Sequence, residues 1–449
     1  MKLGFFGADR GVTGSNHLVE FGETKVLLDC GMYQCGKFCE IENHKPFVYD
    51  PASIAAVFVS HPHADHCGKL PKLYKDGFRG KVYCTAPARK LAQVVLEDSA
   101  KLIGREARKD NIEPLFTLEH VDGVMQHFVD LDYHTEVEIG GGRFRLLDAG
   151  HILGSAMVVG EIEGRTLVFS GDLGNSPAPL LQSTETVQKA DFVIMESTYG
   201  NRLHESVTER ERKLLEVILE VVQNRGVLLI PSFAIERTQE LLHDIDHILE
   251  ANNLGKIKVF LDSPMAIKAT EIYEESFSYL SDKIKDHETA NTLFNFPQLE
   301  FTESKEDSLD IDNESNPKII IAGSGMMNGG RILSHAVKVL PNPKNVLLIV
   351  GYQSEGTLGR RLLEGERKVR IEGKEVSVQA RVKAIGSYSA HADQNQILMW
   401  FKAMGRMPEK VFLVHGEIDQ AQGLADKLKA DGVCEDVLFH RLERSLRFR

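Results

Sequence analysis

The sequence predicts an α/β protein of two interleaved domains, and three observations carry that expectation. The first half runs as short apolar strands, each stopping at a polar residue able to bind a ligand. From about Thr208 the pattern becomes strand–helix alternation, and after about Val382 the first style returns. A return of this kind implies that one domain is inserted in the other. Length agrees, because 449 residues exceed what one ordinary core holds. The expected limits are 1–207 and 382–449 for the host domain and 208–381 for the insert.

Five segments of the host share one design: "KVLLDCG" (25–31), "SIAAVFVSH" (53–61), "FRLLDAGH" (144–151), "RTLVFSGD" (165–172) and "DFVIMEST" (191–198). Each is a β-prone run that ends in Asp, Glu, His or a hydroxyl residue, and α/β proteins assemble their sites at the carboxyl ends of strands. In the insert, apolar periodicity predicts helices over 209–223, 236–250 and 265–280, with "GVLLIPSFA" and "KIKVFLDSP" as strands between them. The acidic stretch 302–316 reads as an exposed loop. "KIIIAGSGMMNGGR" and "NVLLIVGYQSEGTLGR" are strands that run into glycine-rich loops. "AIGSYSAHAD" and "KVFLVHGE" read as further strands ending in histidine.

Composition narrows the function classes. Hydrophobic residues at 42% and charged residues at 26% are the proportions of a globular protein, not of a disordered or membrane chain. No apolar run approaches the roughly 20 residues of a membrane span. The N-terminus turns polar and glycine-rich too early for a secretory signal. A net charge of −12 argues against a general nucleic-acid coater, which shows a basic balance. Local basic stretches exist, with eleven Lys or Arg against four Asp or Glu over 69–109, and Arg441, Arg444, Arg447 and Arg449 at the end. Such clusters are usually solvated surface. Cys30, Cys35 and Cys39 lack a partner motif with zinc spacing, so all six cysteines read as thiols of a reducing, cytoplasmic compartment.

The chemistry concentrates in "FVSHPHADHCGKL", where His61, His63, Asp65 and His66 fall within six positions of an expected loop. Nitrogen and carboxylate donors without thiolate suit catalytic zinc or a neighbouring first-row metal. An H-x-H pair presents two imidazoles on one side of extended chain. The following Asp-His pair points elsewhere, which fits a second metal about 3.5–4 Å away. Two glycine-rich loops, 323–331 and 351–360, each follow a strand and end in arginine, an arrangement able to hold phosphate oxygens.

H-x-H-x-D-H after an apolar strand resembles the metallo-β-lactamase superfamily, and the remaining pieces follow in order. By that resemblance Asp29 orients the metal loop, His151 joins His61 and His63 in the first site, and Asp172 bridges both metals. Glu196 in "MESTYGNR", His391 in "SYSAHAD" and His415 in "FLVHGE" resemble motifs of the β-CASP branch, whose members process nucleic acids. The resemblance implies a metallo-β-lactamase αββα sandwich with an inserted α/β β-CASP domain, and two Zn2+, with manganese as an alternative. His415 completes the second site with Asp65, His66 and Asp172, while His391, bonded to Glu196, is the acid. The histidine at 415 is typical of the RNA-directed members. The loop 323–331 resembles a β-CASP signature. Ser324, Gly325, Met326, Gly329, Gly330, Arg331, Gly356 and Thr357 are therefore expected to contact the RNA backbone.

The expected function is zinc-dependent hydrolysis of RNA phosphodiester bonds by a two-metal mechanism. It would be endonucleolytic, with 5′-to-3′ exonuclease activity open, on single-stranded RNA and without a membrane partner. The sequence leaves open whether a homodimer forms. Without a KH module or a long C-terminal extension, the chain reads as the compact bacterial or archaeal form. Two other readings compete: a hydrolase of small esters or thioesters on the same fold, and a non-catalytic RNA-binding subunit. The insert argues against the first, and seven intact ligands argue against the second.

Overall fold

The computed structural model describes residues 1–9, 11–34, 36–204, 207–351, 353–354, 356–439 and 446–447. Cys35, Tyr352, Glu355, Arg441, Arg444 and Arg449, named above, lie outside the described residues. The chain divides into two compact units, Met1–Leu203 with His391–Arg449, and His204–Ala390.

In the first unit, two seven-stranded sheets pack face to face. One runs in the order Leu446–Arg447, Lys2–Phe5, His17–Phe21, Thr24–Leu28, Ala56–Phe58, Lys81–Cys84, Phe128–Asp130. The other runs Val437–Leu438, Lys410–Val414, Phe192–Glu196, Arg165–Phe169, Ala156–Ile162, Gly142–Asp148, Val137–Ile139. Their inner faces share one core, in which Phe5 and Phe58 from the first sheet meet Phe144, Phe169 and Phe412 from the second. The rings of Phe58 and Phe144 stack at 4.9 Å. The outer face of the second sheet is covered by the helices Gln394–Lys402 and Ile418–Ala430, through Ile397, Phe401, Leu424 and Leu428. With Ala86–Asp110 among the helices of the first sheet, the unit is an αββα sandwich.

The second unit is a six-stranded, all-parallel sheet ordered Leu299–Phe301, Lys258–Asp262, Lys318–Ala322, Val227–Pro231, Val346–Ile349, Arg381–Ala384. Its central strands read as unbroken apolar runs because helices cover parallel sheets on both faces. Helices Val207–Asn224 and Arg237–Ala251 stand close to where periodicity predicts them.

Five expectations are corrected. The changeover falls at His391 rather than 382, because Arg381–Ala384 hydrogen-bonds to Val346–Ile349 and so belongs to the insert's sheet. "AIGSYSAHAD" is accordingly no strand of the host, and His391 meets Gly174 through a single β-bridge. The stretch 302–316 contains the helix Lys305–Asp310, started by a capping box between Ser304 and Asp307. The helix expected over 265–280 closes at Glu275, where the helix-poor run "SFSY" begins. Cys39 is disulfide-bonded, whereas Cys30, Cys67, Cys84 and Cys434 are free and buried.

Candidate metal centre

The strands Arg165–Phe169, Phe192–Glu196 and Lys410–Val414 are mutually parallel, so they deliver Asp172, Glu196 and His415 to one edge of the second sheet. Thr24–Leu28 and Ala56–Phe58, also parallel, deliver Asp29 and His61 from the first. Asp29 and His415 both take left-handed backbone, at φ +62° and +50°. Non-glycine residues hold that conformation at a cost of about 1–3 kcal/mol, which the surrounding structure must offset. Asp65 and His66 are not on a loop. They occupy the short helix Ala64–Cys67, for which His63 is the N-cap. That turn separates them from the extended His61-x-His63 pair and aims them at a second point.

Three groups of donor atoms result: two hold the expected ligands, and the third joins Asp172 and His415 to Glu196. In the first, His61, His63, His151 and Asp172 offer atoms that all lie within 4.8 Å of one another. His61 Nε2 stands 3.0 Å from His63 Nδ1 and 3.4 Å from Asp172 Oδ2, with His151 Nε2 3.7 Å from the same oxygen. In the second, Asp65, His66 and His415 meet. His66 Nε2 lies 3.1 Å from His415 Nε2, and His415 Nε2 lies 3.3 Å from Asp65 Oδ2. Asp172 touches both groups, with Oδ2 3.4 Å from His66 Nε2 and Oδ1 3.7 Å from His415 Nδ1. Of these residues His63 and Asp65 keep partial exposure while His61, His66, His151, Asp172 and His415 are buried, so the cluster opens on one side.

Hydrogen bonds behind the cluster fix which nitrogens face it. Asp29 Oδ2 receives His66 Nδ1–H at 2.6 Å. The Ser60 hydroxyl donates to Asp29 at 3.0 Å, so it accepts from His61 Nδ1, also at 3.0 Å. Thr198 donates its hydroxyl proton to the His415 carbonyl at 2.9 Å and thus accepts from His415 Nδ1 at 3.0 Å. In all three cases Nδ1 carries the proton and Nε2 turns inward, as metal-binding imidazoles require. Ser60 and Thr198 are not singled out by the sequence. Ser60 directly precedes His61 and Thr198 follows Glu196 by two, but nothing local marks a hydroxyl as a partner for a distant imidazole.

Electrostatics favour a cation here. Burial holds the His61 imidazole well below its ordinary pKa and brings His63 down to about 4. Burial also opposes charge on His66, but the carboxylates of Asp172, Asp29 and Asp65 prevail and hold it well above the ordinary value. With Nδ1–H on Asp29, the additional proton sits on Nε2, the face a metal ion competes for. Asp172 Oδ1 is buried with no hydrogen-bond partner. An unpaired buried carboxylate oxygen among inward-facing imidazole nitrogens fits divalent zinc in donor type and in charge.

Glu196 is fully buried and accepts Leu173 N–H at 2.6 Å through Oε1. Its Oε2 lies 3.2 Å from His391 Nδ1, and His391 keeps 21% of its side chain exposed beside the cluster. Its ring centroid is 4.7 Å from that of His151. Burial opposes a charge on His391, but Glu196 outweighs it and raises the pKa.

The loop that carries His151 is tied by Asp148, whose Oδ1 accepts Gly150 N–H at 2.8 Å. Burial is the main cause that pushes the Asp148 carboxyl up to about 7, against the Gly150 bond and with help from Glu185. Between the ordinary carboxylate range and about 7, the folded chain therefore holds a proton that the unfolded chain has released. Stability falls as pH climbs through that window. Asp148→Asn keeps an acceptor for Gly150 and removes the titration. Its melting temperature exceeds the wild type's at about pH 8 and converges with it at about pH 4; parallel melting curves across the range would contradict this.

Three family descriptions match the chain: a beta-lactamase superfamily domain over residues 24–228, a Beta-Casp domain over 238–362, and a Zn-dependent metallo-hydrolase RNA specificity domain over 375–438. Ribonuclease TTHA0252 of Thermus thermophilus is 40% identical over 433 residues, covering 96% of this chain and 97% of that protein. The chain belongs to the β-CASP family of the metallo-β-lactamase superfamily. An RNase J-like protein of Methanocaldococcus jannaschii is 34% identical over 412 residues, 91% of this β-CASP chain and 90% of its own. A crystal structure of a protein of unknown function from Enterococcus faecalis V583 shares the fold, with a TM-score of 0.58 at 12% identity over 99% of both chains. As a β-CASP protein the chain is a metal-dependent hydrolase. Among its described residues no helix is long and apolar enough to cross a membrane.

The loops expected to bind substrate lie in the other unit of this β-CASP chain, and one of their residues is otherwise engaged. Arg331 Nη1 donates to Asp262 Oδ1 at 2.6 Å and to the Thr302 carbonyl at 2.8 Å, while Nη2 donates to Glu303 O at 2.6 Å. The trailing arginine thus braces the insert through these three bonds. Gly330, at φ +78° and with Gly323 O where a Cβ would sit, is glycine for conformational reasons. Thr357 caps the helix Leu358–Leu363 through Arg360 N–H.

Asp262 is buried. Burial raises its pKa, yet bonds from His335, Ser308, Arg331 and Thr302 outweigh that and hold it at about 2. A depressed carboxyl contributes stability above the ordinary carboxylate range and loses it as pH falls through about 2. Arg331→Met should lower stability by about 1–3 kcal/mol at neutral pH, because a charged bond to a buried group is lost. The gap should narrow in acid. Unchanged melting with weakened RNA binding would instead support the phosphate role.

Proposed function

We propose that the chain is a zinc-dependent ribonuclease that hydrolyses phosphodiester bonds of single-stranded RNA. The observation that carries this reading is the pairing of the two donor groups with a Glu196-held imidazole at the open side of the cluster. The names of the relatives, ribonuclease TTHA0252 and RNase J-like protein, support RNA as the substrate.

His61, His63, His151 and Asp172 would hold one zinc, and Asp65, His66, His415 and Asp172 the other. Two zinc ions in these places would supply activated water at neutral pH and positive charge for in-line displacement at phosphorus. The chain's own residues do the rest. Asp29, through His66 and Ser60, fixes two imidazoles in the tautomer that leaves Nε2 inward, and Thr198 does the same for His415. Glu196 accepts the Nδ1 proton of His391, which leaves Nε2–H to protonate the departing 3′-oxygen. Glu196 raises the His391 pKa, which favours the protonated imidazole that an acid role needs. Acid assistance of this kind contributes about 10²–10⁴-fold. The products are a 3′-hydroxyl and a 5′-phosphate. The free buried cysteines Cys30, Cys67, Cys84 and Cys434 fit a reducing cytoplasm, whereas the disulfide at Cys39 runs against it.

Circular single-stranded RNA and the same RNA linear with a 5′-monophosphate test the mode of attack. Cleavage of the circle by the wild type establishes endonuclease action. Loss of the linear RNA alone makes the enzyme dependent on an end. Neither RNA touched, with hydrolysis of simple esters, would overturn the reading.

A further inference from the structure

Phe233 stands in the turn that leaves the strand Val227–Pro231, within "GVLLIPSFA", and 38% of it is exposed. The ring packs, through its Cδ2 and Cε2 atoms, against backbone that carries no side chain. A Cβ at Gly325 would come within 2.6 Å of it, and one at Gly351 within 3.3 Å. These two glycines follow the neighbouring strands Lys318–Ala322 and Val346–Ile349, so the ring spans the carboxyl ends of three adjacent parallel strands. That edge is where parallel sheets build ligand sites.

The floor under the ring is fixed. Gln353, 4% exposed, donates Nε2–H to Gly325 O at 2.9 Å and to Gly351 O at 3.3 Å, tying both glycine segments together. The Phe233 carbonyl is held in turn by the Thr238 hydroxyl at 2.7 Å and the Ser232 hydroxyl at 3.2 Å. An aromatic ring seated on glycines with its outer side toward solvent is a stacking surface. Its partner must present a flat π-face.

We propose that Phe233 is a nucleobase platform: one base of the RNA stacks on its exposed face, seated by Gly325 and Gly351. The inference rests on the reading that the chain acts on RNA. Stacking of this kind tolerates any base, since every base has a π-face. It makes Phe233 a substrate-positioning residue of the insert, separate from the donor cluster.

The test is kcat/KM on a single-stranded RNA of about ten nucleotides, and on a set in which one nucleotide at a time is abasic. In the wild type, one abasic position lowers kcat/KM by about 5- to 150-fold. Phe233→Ala lowers kcat/KM on the unmodified RNA by a similar factor and removes the penalty at that position alone. Phe233→Leu, which keeps an apolar group on the glycine floor, loses as much as Phe233→Ala, whereas Phe233→Trp retains the wild-type value. Active wild type with an indifferent Phe233→Ala, a Phe233→Leu as good as wild type, or an abasic penalty that persists in Phe233→Ala overturns the platform alone. A wild type inactive on the unmodified RNA overturns the ribonuclease reading and the platform with it.

Discussion

Asp172→Ala should lose metal and nearly all activity, with RNA cleavage falling by about 10³-fold or more. The size follows from what the side chain touches. One oxygen lies 3.4 Å from both His61 Nε2 and His66 Nε2, and the other lies 3.7 Å from His415 Nδ1. Among the described donors, Asp172 alone belongs to the group of His61 and also to a group of His415. Its removal therefore weakens both positions at once, where loss of Asp65 touches one. Metal ions supply several kcal/mol of transition-state stabilisation, and each 1.4 kcal/mol is tenfold in rate. Elemental analysis of the purified variant should find at most one zinc per chain, against two in the wild type. Two zinc ions retained in Asp172→Ala would show that the bridge is elsewhere.

His391→Ala should behave in the opposite way on metal. Its nearest carboxylate partner is Glu196, at 3.2 Å, and it stands 3.8 Å from Asp172 Oδ2, at the open side of the cluster. Both zinc ions should stay while cleavage of RNA slows by about 10²–10⁴-fold, the range for general acid catalysis. The leaving group separates this role from a general loss of structure. A ribose 3′-oxygen departs as a strongly basic alkoxide and needs a proton, whereas a nitrophenolate does not. On a nitrophenyl phosphodiester the variant should fall within about tenfold of the wild type. An equal loss on both substrates, or loss of zinc, would remove His391 from the acid role.

The sequence displayed the donor cluster almost whole, because H-x-H-x-D-H is local and each remaining ligand closes an apolar strand. Parallel strand ends do the assembling, and strand ends are easy to read. Three features were less legible, each for a physical reason. The Ala64–Cys67 turn is too short to leave a helical periodicity, so Asp65 and His66 passed for loop residues. The hydroxyls of Ser60 and Thr198 act by bonding imidazoles that the fold brings to them, and serine and threonine are common at strand ends for other reasons. Arg331 sits after a glycine-rich loop as a phosphate ligand would. Its partner Asp262 is 69 residues away, so the sequence could not reveal that the guanidinium is already engaged. The return to the host fold was visible as a change of style. Its position was not, since Arg381–Ala384 ends one sheet in the same manner as the strands of the other.

The most direct test of the central claim is to strip the protein with a chelator and titrate zinc back while following cleavage of single-stranded RNA. Two donor groups joined by Asp172 predict that activity stays near background through the first equivalent and rises with the second, to a plateau at two zinc ions per chain. Full activity at one equivalent, or two equivalents bound with no RNA cleaved, would contradict it.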